Sequence, residues 1–190
     1  MPPGGRRVPP PGLEGASPTA AAPGRFVAVL IRPAADTDWP SIWPFFRSIV
    51  EAGQSYAFPE NLTLEEARPW WMERPPGQTV VATEGDVVLG SAKMGPNRPG
   101  RGAHVATASF MVAPAHASRG VGRALGEFAL AWARAAGYRA MQFNAVVETN
   151  APAVGLWRSL GFEIIGTVPE AFDHPDRGLV GLHVMHRRLV

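Results

Sequence analysis

The order of elements in this sequence predicts a mixed α/β domain, a sheet of six or seven strands with about four helices on both of its faces. Three observations carry that reading. Residues 78–84 and 86–94, QTVVATE and DVVLGSAKM, flank Gly85 and read as a hairpin, so part of the sheet is antiparallel. Two strand-to-helix units follow, 103–136 and 139–160, and such units lay helices over a sheet. Two more apolar runs, 162–168 and 178–189, supply the last strands.

Taken in order, RFVAVLIRP (25–33) is a first strand stopped by Pro33. Asp36 or Asp38 caps a helix that runs to about Ala52, with Pro40 tolerated in its first turn and Pro44 distorting it. TLEEARPWWME (63–73) opens with a Thr-x-x-Glu capping box and carries Pro69 inside. After the hairpin comes a Pro/Gly-rich loop, GPNRPGRG (95–102), and then a strand, AHVATASFMVA (103–113), stopped by Pro114. Val121, Leu125, Phe128 and Trp132 recur at helical spacing over 121–136, and Gly137 ends that helix. Residues 139–147 are a strand and 150–160 a helix ended by Gly161. Trp70, Trp71 and Trp132 are assigned to the core.

Composition narrows the function. Hydrophobic content of 46% and charged content of 18% are those of a soluble globular protein of one domain's length, 190 residues. No apolar run is long enough to cross a bilayer, and the absence of cysteine excludes disulfides and thiolate chemistry. The net charge is +2 with no basic stripe, which speaks against nucleic acid or a membrane as partner. Seventeen arginines stand against one lysine, so an isolated arginine is weak evidence of function. Residues 1–24 hold seven prolines and five glycines and read as a disordered tail, leaving 25–190 as the folded domain. Arg6-Arg7 is followed by no apolar stretch, so the expected location is cytoplasmic. His183 and His186 point to opposite faces of a strand and cannot share a metal, and no metal site is expected.

The most informative stretch is FMVAPAHASRGVGRALGEF (110–128). A strand stops at a proline, and a short loop delivers Gly120-Val121-Gly122 to the start of a helix. Glycines there let a ligand approach the backbone, while first-turn N–H groups lack helical partners and carry the positive end of the dipole. That makes an anion site, most simply for a pyrophosphate, with Arg119 and Arg123 at its rim. The spacing Gly-x-Gly-x-x-x-Gly is not the dinucleotide fingerprint, and no Gly-Lys-Ser/Thr of a P-loop occurs.

Strand, Val-x-Pro, loop, Gly-x-Gly, helix, strand, then Asn…Ala…Leu-Gly-Phe resembles the GCN5-related N-acetyltransferases (GNAT), over roughly residues 25–190. RPGRGAHVATASFMVAP, GYRAMQFNAVVETN, LWRSLGF and GTVP are similar to the azetidine-2-carboxylate, or proline-analogue, N-acetyltransferases and their bacterial relatives. The resemblance implies a GNAT-type, mostly antiparallel sheet with a central V-shaped splay. It implies acetyl-CoA as co-substrate, bound by Phe110, Met111 and Val112 on the strand, by Arg119, Gly120, Val121, Gly122, Arg123 and Ala124 in the loop and first turn, and by Asn150. The family's loop usually opens with Arg/Gln-x-x-Gly-x-Gly. Ala117 and Ser118 stand at its start here, so side-chain help for the phosphates falls to Arg119 or Arg123.

Two asparagines frame the other half of the site. Asn150 caps the helix 151–160, and the resemblance adds a contact with the pantetheine arm. Asn144 interrupts a strand that reads as internal, where a buried amide without partners costs about 1–3 kcal/mol. It is either a backbone-bonded residue at a bulge or, as the resemblance implies, the catalytic-site residue that holds an amino-acid substrate. Tyr56 and Phe58, in the proline-containing SYAFPEN loop, close over a small substrate or simply pack. Phe110 is an apolar wall, and Thr107 lies on the same strand. His116 is expected to be solvated.

The resemblance implies direct attack of an amine on the thioester in a ternary complex, with backbone N–H groups near Phe110–Val112 facing the developing oxyanion. An amine of pKa near 10 must first lose a proton, at roughly 4 kcal/mol at neutral pH. Strand 103–113 has no Asp or Glu, so proton loss through water is expected, with His104, Thr107 or Ser109 at most relaying, and the rate should rise with pH. Trp157 stands where the family often has a tyrosine acid, and an indole is no usable acid, so the acid is unassigned. The expected partner is a small-molecule amine; a homodimer is left open. Two other readings stand beside this one, a protein N-acetyltransferase and a non-catalytic acyl-CoA-binding module.

Overall fold

The computed structural model describes residues 29–190, so the tail expected over 1–24 and the start of the first strand lie outside the described residues. Eleven elements follow one another: β1 (Leu30–Pro33), α1 (Trp39–Glu51), α2 (Leu64–Trp71), β2 (Gln78–Glu84), β3 (Val87–Pro96), β4 (Val105–Val112), α3 (Val121–Ala135), β5 (Ala140–Val147), α4 (Ala151–Ser159), β6 (Glu163–His174) and β7 (Gly178–Arg188). The seven strands form one sheet in the order β1-β2-β3-β4-β5-β7-β6. Every neighbouring pair is antiparallel except β4 and β5, which run parallel across the α3 connection. Among the described residues no helix is long and apolar enough to cross a membrane.

Strand alternation sends successive side chains to opposite faces, and the sheet builds two cores from it. Val80, Ala82, Ala92, Met94, Ala106, Ala108, Met141 and Phe143 meet Val121, Leu125, Ala129 and Ala133 of α3 and Trp157 of α4. Val81 and Met111 face the other way, onto Trp39, Ile42, Phe45, Phe46 and Val50 of α1 and Ala67 and Trp71 of α2. Trp71 is fully buried, with its indole N–H donating to Ser91 Oγ at 2.9 Å. Trp70 corrects the core assignment: one position along the helix it is 43% exposed.

Local chemistry explains most boundaries. Thr63 and Glu66 form the expected capping box at α2. Asp38 precedes α1 but does not cap it; its carboxylate takes two hydrogen bonds from Arg32, at 2.7 and 2.8 Å, and one from the Ala35 N–H at 2.7 Å. Pro44 and Pro69 lie inside α1 and α2 without ending them. Gly85, Gly137 and Gly161 take positive φ where the chain turns after β2, α3 and α4. β6 extends well beyond the expected residue 168. Pro169 reads as a breaker, but on an edge strand it removes no ladder bond, and the irregularity is absorbed between Val168 and Phe172, where Glu170 has φ 50°.

One feature of the sheet positions the site. β4 and β5 pair only at Val105↔Ala140 and Ala106↔Met141 and then part. Beyond Ala106 the β4 edge facing β5 has no strand partner, which is the expected V-shaped splay. β5 is bulged just past the pairing: Phe143 faces Met185 and Val146 faces His183, so one residue is extra on β5.

Candidate active site

The splay opens a cleft of about 470 Å³ between β4, β5, α4 and the loop after α1. In an antiparallel ladder, backbone groups alternate between the two neighbours. Ala106 is directed to β5, so Ala108, Phe110 and Val112 present their N–H and C=O groups into the cleft. Phe110 shows this directly. Its carbonyl accepts from the Tyr56 hydroxyl at 2.6 Å, and its N–H donates to the same oxygen at 3.0 Å. Tyr56 is partly exposed as a residue, but its hydroxyl end is enclosed, and burial pushes the phenol far up despite the opposing Phe110 bond. The group is therefore a neutral hydroxyl at all working pH.

Side chains divide the cleft into two halves. On the α4 side the Phe110 ring lies 4.6 Å from Trp157 and 5.7 Å from Phe143, an apolar wall. Trp157 is buried and offers no acid, as expected. On the α1 side Tyr56 stacks on Phe58 at 5.1 Å, and Phe58 on Phe46 at 5.7 Å. Thr107 and Ser109 of β4 face this half, with Lys93 of β3 opposite Ser109. Phe110 thus offers its ring to one half and its backbone to the other. Met111 lines the cleft as a residue, with its side chain buried against α1 and α2.

Asn144 sits on the bulge and is exposed, not buried as its strand position suggests. Its Oδ1 accepts from Gln142 Nε2 at 2.8 Å and its Nδ2 donates to Asn97 Oδ1 at 2.6 Å. Asn144 occupies the bulge and lines the cleft, and its amide bonds to side chains rather than to the backbone expected of a bulge residue. Asn150 caps α4, accepting from the Ala153 N–H at 3.2 Å, and lines the cleft too.

At the mouth, Gly120 takes φ 80° and starts α3 with no side chain capping the end. The N–H groups of Val121, Gly122 and Arg123 belong to the first turn, while Ala124 already donates back to Gly120. A Cβ on Gly122 would meet only Leu156 at 3.5 Å and Val112 at 3.8 Å, so the glycine is not needed for packing. The arginines are less free than their sequence suggests. Arg119 donates to Glu84 at 2.6 Å and touches His116 Nδ1 at 3.2 Å, so His116 is partnered rather than simply solvated. Arg123 donates to Ser159 Oγ at 2.8 Å and lies 3.6 Å from Glu127. Both expected arginines stand beside the helix start, each with an acidic partner, and the helix dipole adds to their charge.

His104 departs from its expected place. It precedes β4 at the end remote from the splay, with Nδ1 against the Arg101 carbonyl at 3.1 Å, and it does not line the cleft. Thr107 and Ser109 do. Lys93 went unnoticed in the sequence reading, although its signal was present, since it is the only lysine in the chain.

An acyl-CoA arm fits this arrangement on three grounds: an unpaired strand edge for its amides, a glycine-lined helix start for its phosphates, and an apolar wall between them. Comparison with known proteins points the same way. The chain is 30% identical over 142 residues to the N-acetyltransferase aca1 of Schizosaccharomyces pombe, covering 67% of this chain and 68% of that protein. It is 62% identical to the solved GCN5-related N-acetyltransferase from Kribbella flavida, with a TM-score of 0.82 over 85% of this chain and 98% of the other. It is 25% identical to yncA from Salmonella typhimurium, solved with its cofactor acetyl-CoA, with a TM-score of 0.77 over 86% and 95% of the two chains. The model of the acetyltransferase (GNAT) family matches residues 40–162. On that match, which spans well over half of the chain, the protein belongs to the acetyltransferase (GNAT) family and is an N-acetyltransferase that takes its acetyl group from acetyl-CoA.

Proposed function

We propose that the enzyme acetylates the amine of a small molecule, an amino or imino acid of the azetidine-2-carboxylate and proline type. The observation that carries this is the acceptor half of the cleft. Its roof is a short aromatic loop pinned to β4 through Tyr56 and packed down through Phe58, which suits a compact acceptor. A protein acceptor needs an open groove to lay a peptide in, and the Tyr56 and Phe58 rings narrow this half of the cleft.

In this reading the pyrophosphate lies on the first-turn N–H groups of Val121, Gly122 and Arg123, with the Arg119 and Arg123 side chains at the rim. The pantetheine arm runs along the free edge of β4 from Phe110 to Val112, beside Asn150. Tyr56, Phe58, Thr107 and Asn144 surround the acceptor, and the Phe110 backbone faces it. Acetyl-CoA supplies an activated thioester; the chain's own part is to hold its carbonyl near the Val112 N–H, which points into the cleft while the Phe110 N–H is taken by Tyr56, and to exclude bulk water. Among the described residues no Asp or Glu lines the cleft, so the amine loses its proton to water, with Thr107 or Ser109 at most relaying.

The test is release of CoA in steady state with L-azetidine-2-carboxylate and L-proline, against a lysine-containing peptide. Turnover of the small acids alone is the expected result. Turnover of the peptide alone overturns it, and acetyl-CoA binding without any turnover favours a non-catalytic module.

A further inference from the structure

We infer that Lys93 is the anion receptor of the acceptor half, so that the acceptor is an amine carrying a carboxylate. The inference rests on the reading of this half of the cleft as the acceptor site.

Charge is the first ground. Twenty of the described residues line the cleft, and Lys93 is the only one among them with a charged side chain. Among the described residues no Asp, Glu, Arg or His shares the lining, so nothing in it neutralises a second positive charge on a ligand. A plain or polycationic amine would meet an ammonium whose carboxylate partner, Glu73, stands outside the lining, whereas the anion of an amino acid complements it.

Placement is the second. Lys93 stands opposite Ser109 in the β3–β4 ladder. Strand alternation puts it on the face of Thr107 and Ser109, while Ala92 and Met94 face α3. Its ammonium lies 6.0 Å from the centre of the Phe58 ring, so it belongs to the acceptor side rather than to the phosphate end. The stem is largely covered, at 22% side-chain exposure, which holds the head in one place.

Available donors are the third. The ammonium has three N–H groups and one partner, Glu73 Oε1 at 3.1 Å. Glu73 is 40% exposed and positions the head from the outer side. In a chain that otherwise meets its need for positive charge with seventeen arginines, this one site has a compact point charge that can turn donors to a ligand while keeping its carboxylate partner.

A purely structural Lys93–Glu73 pair predicts something different, and paired variants separate the two. The measurement is kcat/KM for L-proline divided by kcat/KM for pyrrolidine, its decarboxylated counterpart. The native enzyme should favour proline at least tenfold. Lys93→Met should cut that ratio at least tenfold, chiefly through the KM for proline, and Glu73→Gln, which frees the ammonium, should lower that KM. A ratio unchanged in Lys93→Met, or equal loss in both variants, overturns the inference. Turnover of both amines without preference by the native enzyme overturns it while leaving the proposed function standing. If no small amine turns over, the proposed function fails, and the receptor is judged by calorimetry with N-acetyl-L-proline and CoA. Binding that Lys93→Met weakens at least tenfold supports it; absent or unaltered binding overturns it.

Discussion

The Tyr56 hydroxyl closes on both backbone groups of Phe110, donating to the carbonyl at 2.6 Å and accepting from the N–H at 3.0 Å. A side chain thus stands in for the strand that the splay removes from β4. Tyr56→Phe keeps the ring in its aromatic cluster and strips both bonds. The Phe110 amide should then exchange with solvent about tenfold faster, roughly 1.4 kcal/mol, and saturating acetyl-CoA should restore its protection. Unchanged exchange in the variant would show that the hydroxyl does not hold that amide in solution.

Gly122→Glu should abolish acetyl-CoA binding. A Cβ there meets nothing closer than 3.5 Å, so the fold should tolerate the change, while the new carboxylate repels a pyrophosphate at the helix start. Calorimetry beside a thermal melt separates the two effects: binding lost, melting temperature held. Retained affinity would remove the phosphates from this loop.

The two asparagines should separate by kinetics. Asn150→Ala removes the cap on Ala153 and should cost about 1 kcal/mol of stability together with CoA affinity. Asn144→Ala should leave CoA affinity nearly intact and lower kcat/KM for the amine at least tenfold, or about 1.4 kcal/mol. If turnover of folded Asn144→Ala enzyme is unchanged, the residue serves only its bulge and its bonds to Asn97 and Gln142.

Gly126 is where α3 and α4 touch. A Cβ would stand 2.7 Å from Leu160 Cδ1 and 3.0 Å from the Trp157 ring. Gly126→Ala should therefore destabilise by about 1–3 kcal/mol through overpacking. Because Trp157 packs against the Phe110 ring, tryptophan fluorescence and acetyl-CoA affinity should change with it. A melting temperature equal to that of the native protein would mean that Leu160 moves aside freely.

The paired bonds from Arg32 hold the Asp38 carboxyl below its usual value, against burial and with help from the Ala35 N–H. A depressed folded value means that the carboxylate's stabilisation is fully present above the unfolded value, about 3.9, and is lost as pH falls through the folded one. Asp38→Asn should lower the melting temperature by a constant amount above about pH 5, and the gap to the native protein should narrow below about pH 4. A gap that stays constant to pH 3 would mean that the charge of Asp38 contributes nothing.

The sequence by itself determined what is local or periodic. The capping box at Thr63, the glycines that end α3 and α4, the order of strands and helices and the glycine that opens α3 follow from propensities and spacing within a few residues. Three-dimensional packing decided everything that depends on which elements become neighbours. The splay exists because β4 and β5 pair at only two positions before they part, and no residue in either strand announces that. The bulge that exposes Asn144 is defined only against β7. Tyr56 reaches Phe110 across 54 positions of sequence, Arg119 turns to Glu84 across 35, and Asp38 spends its oxygens on Arg32 rather than on the helix it precedes. Lys93 and Asn144, fifty-one positions apart, face one cleft because strand alternation and a parallel crossover bring them there, a relation fixed by the fold's long-range contacts and carried by no local signal.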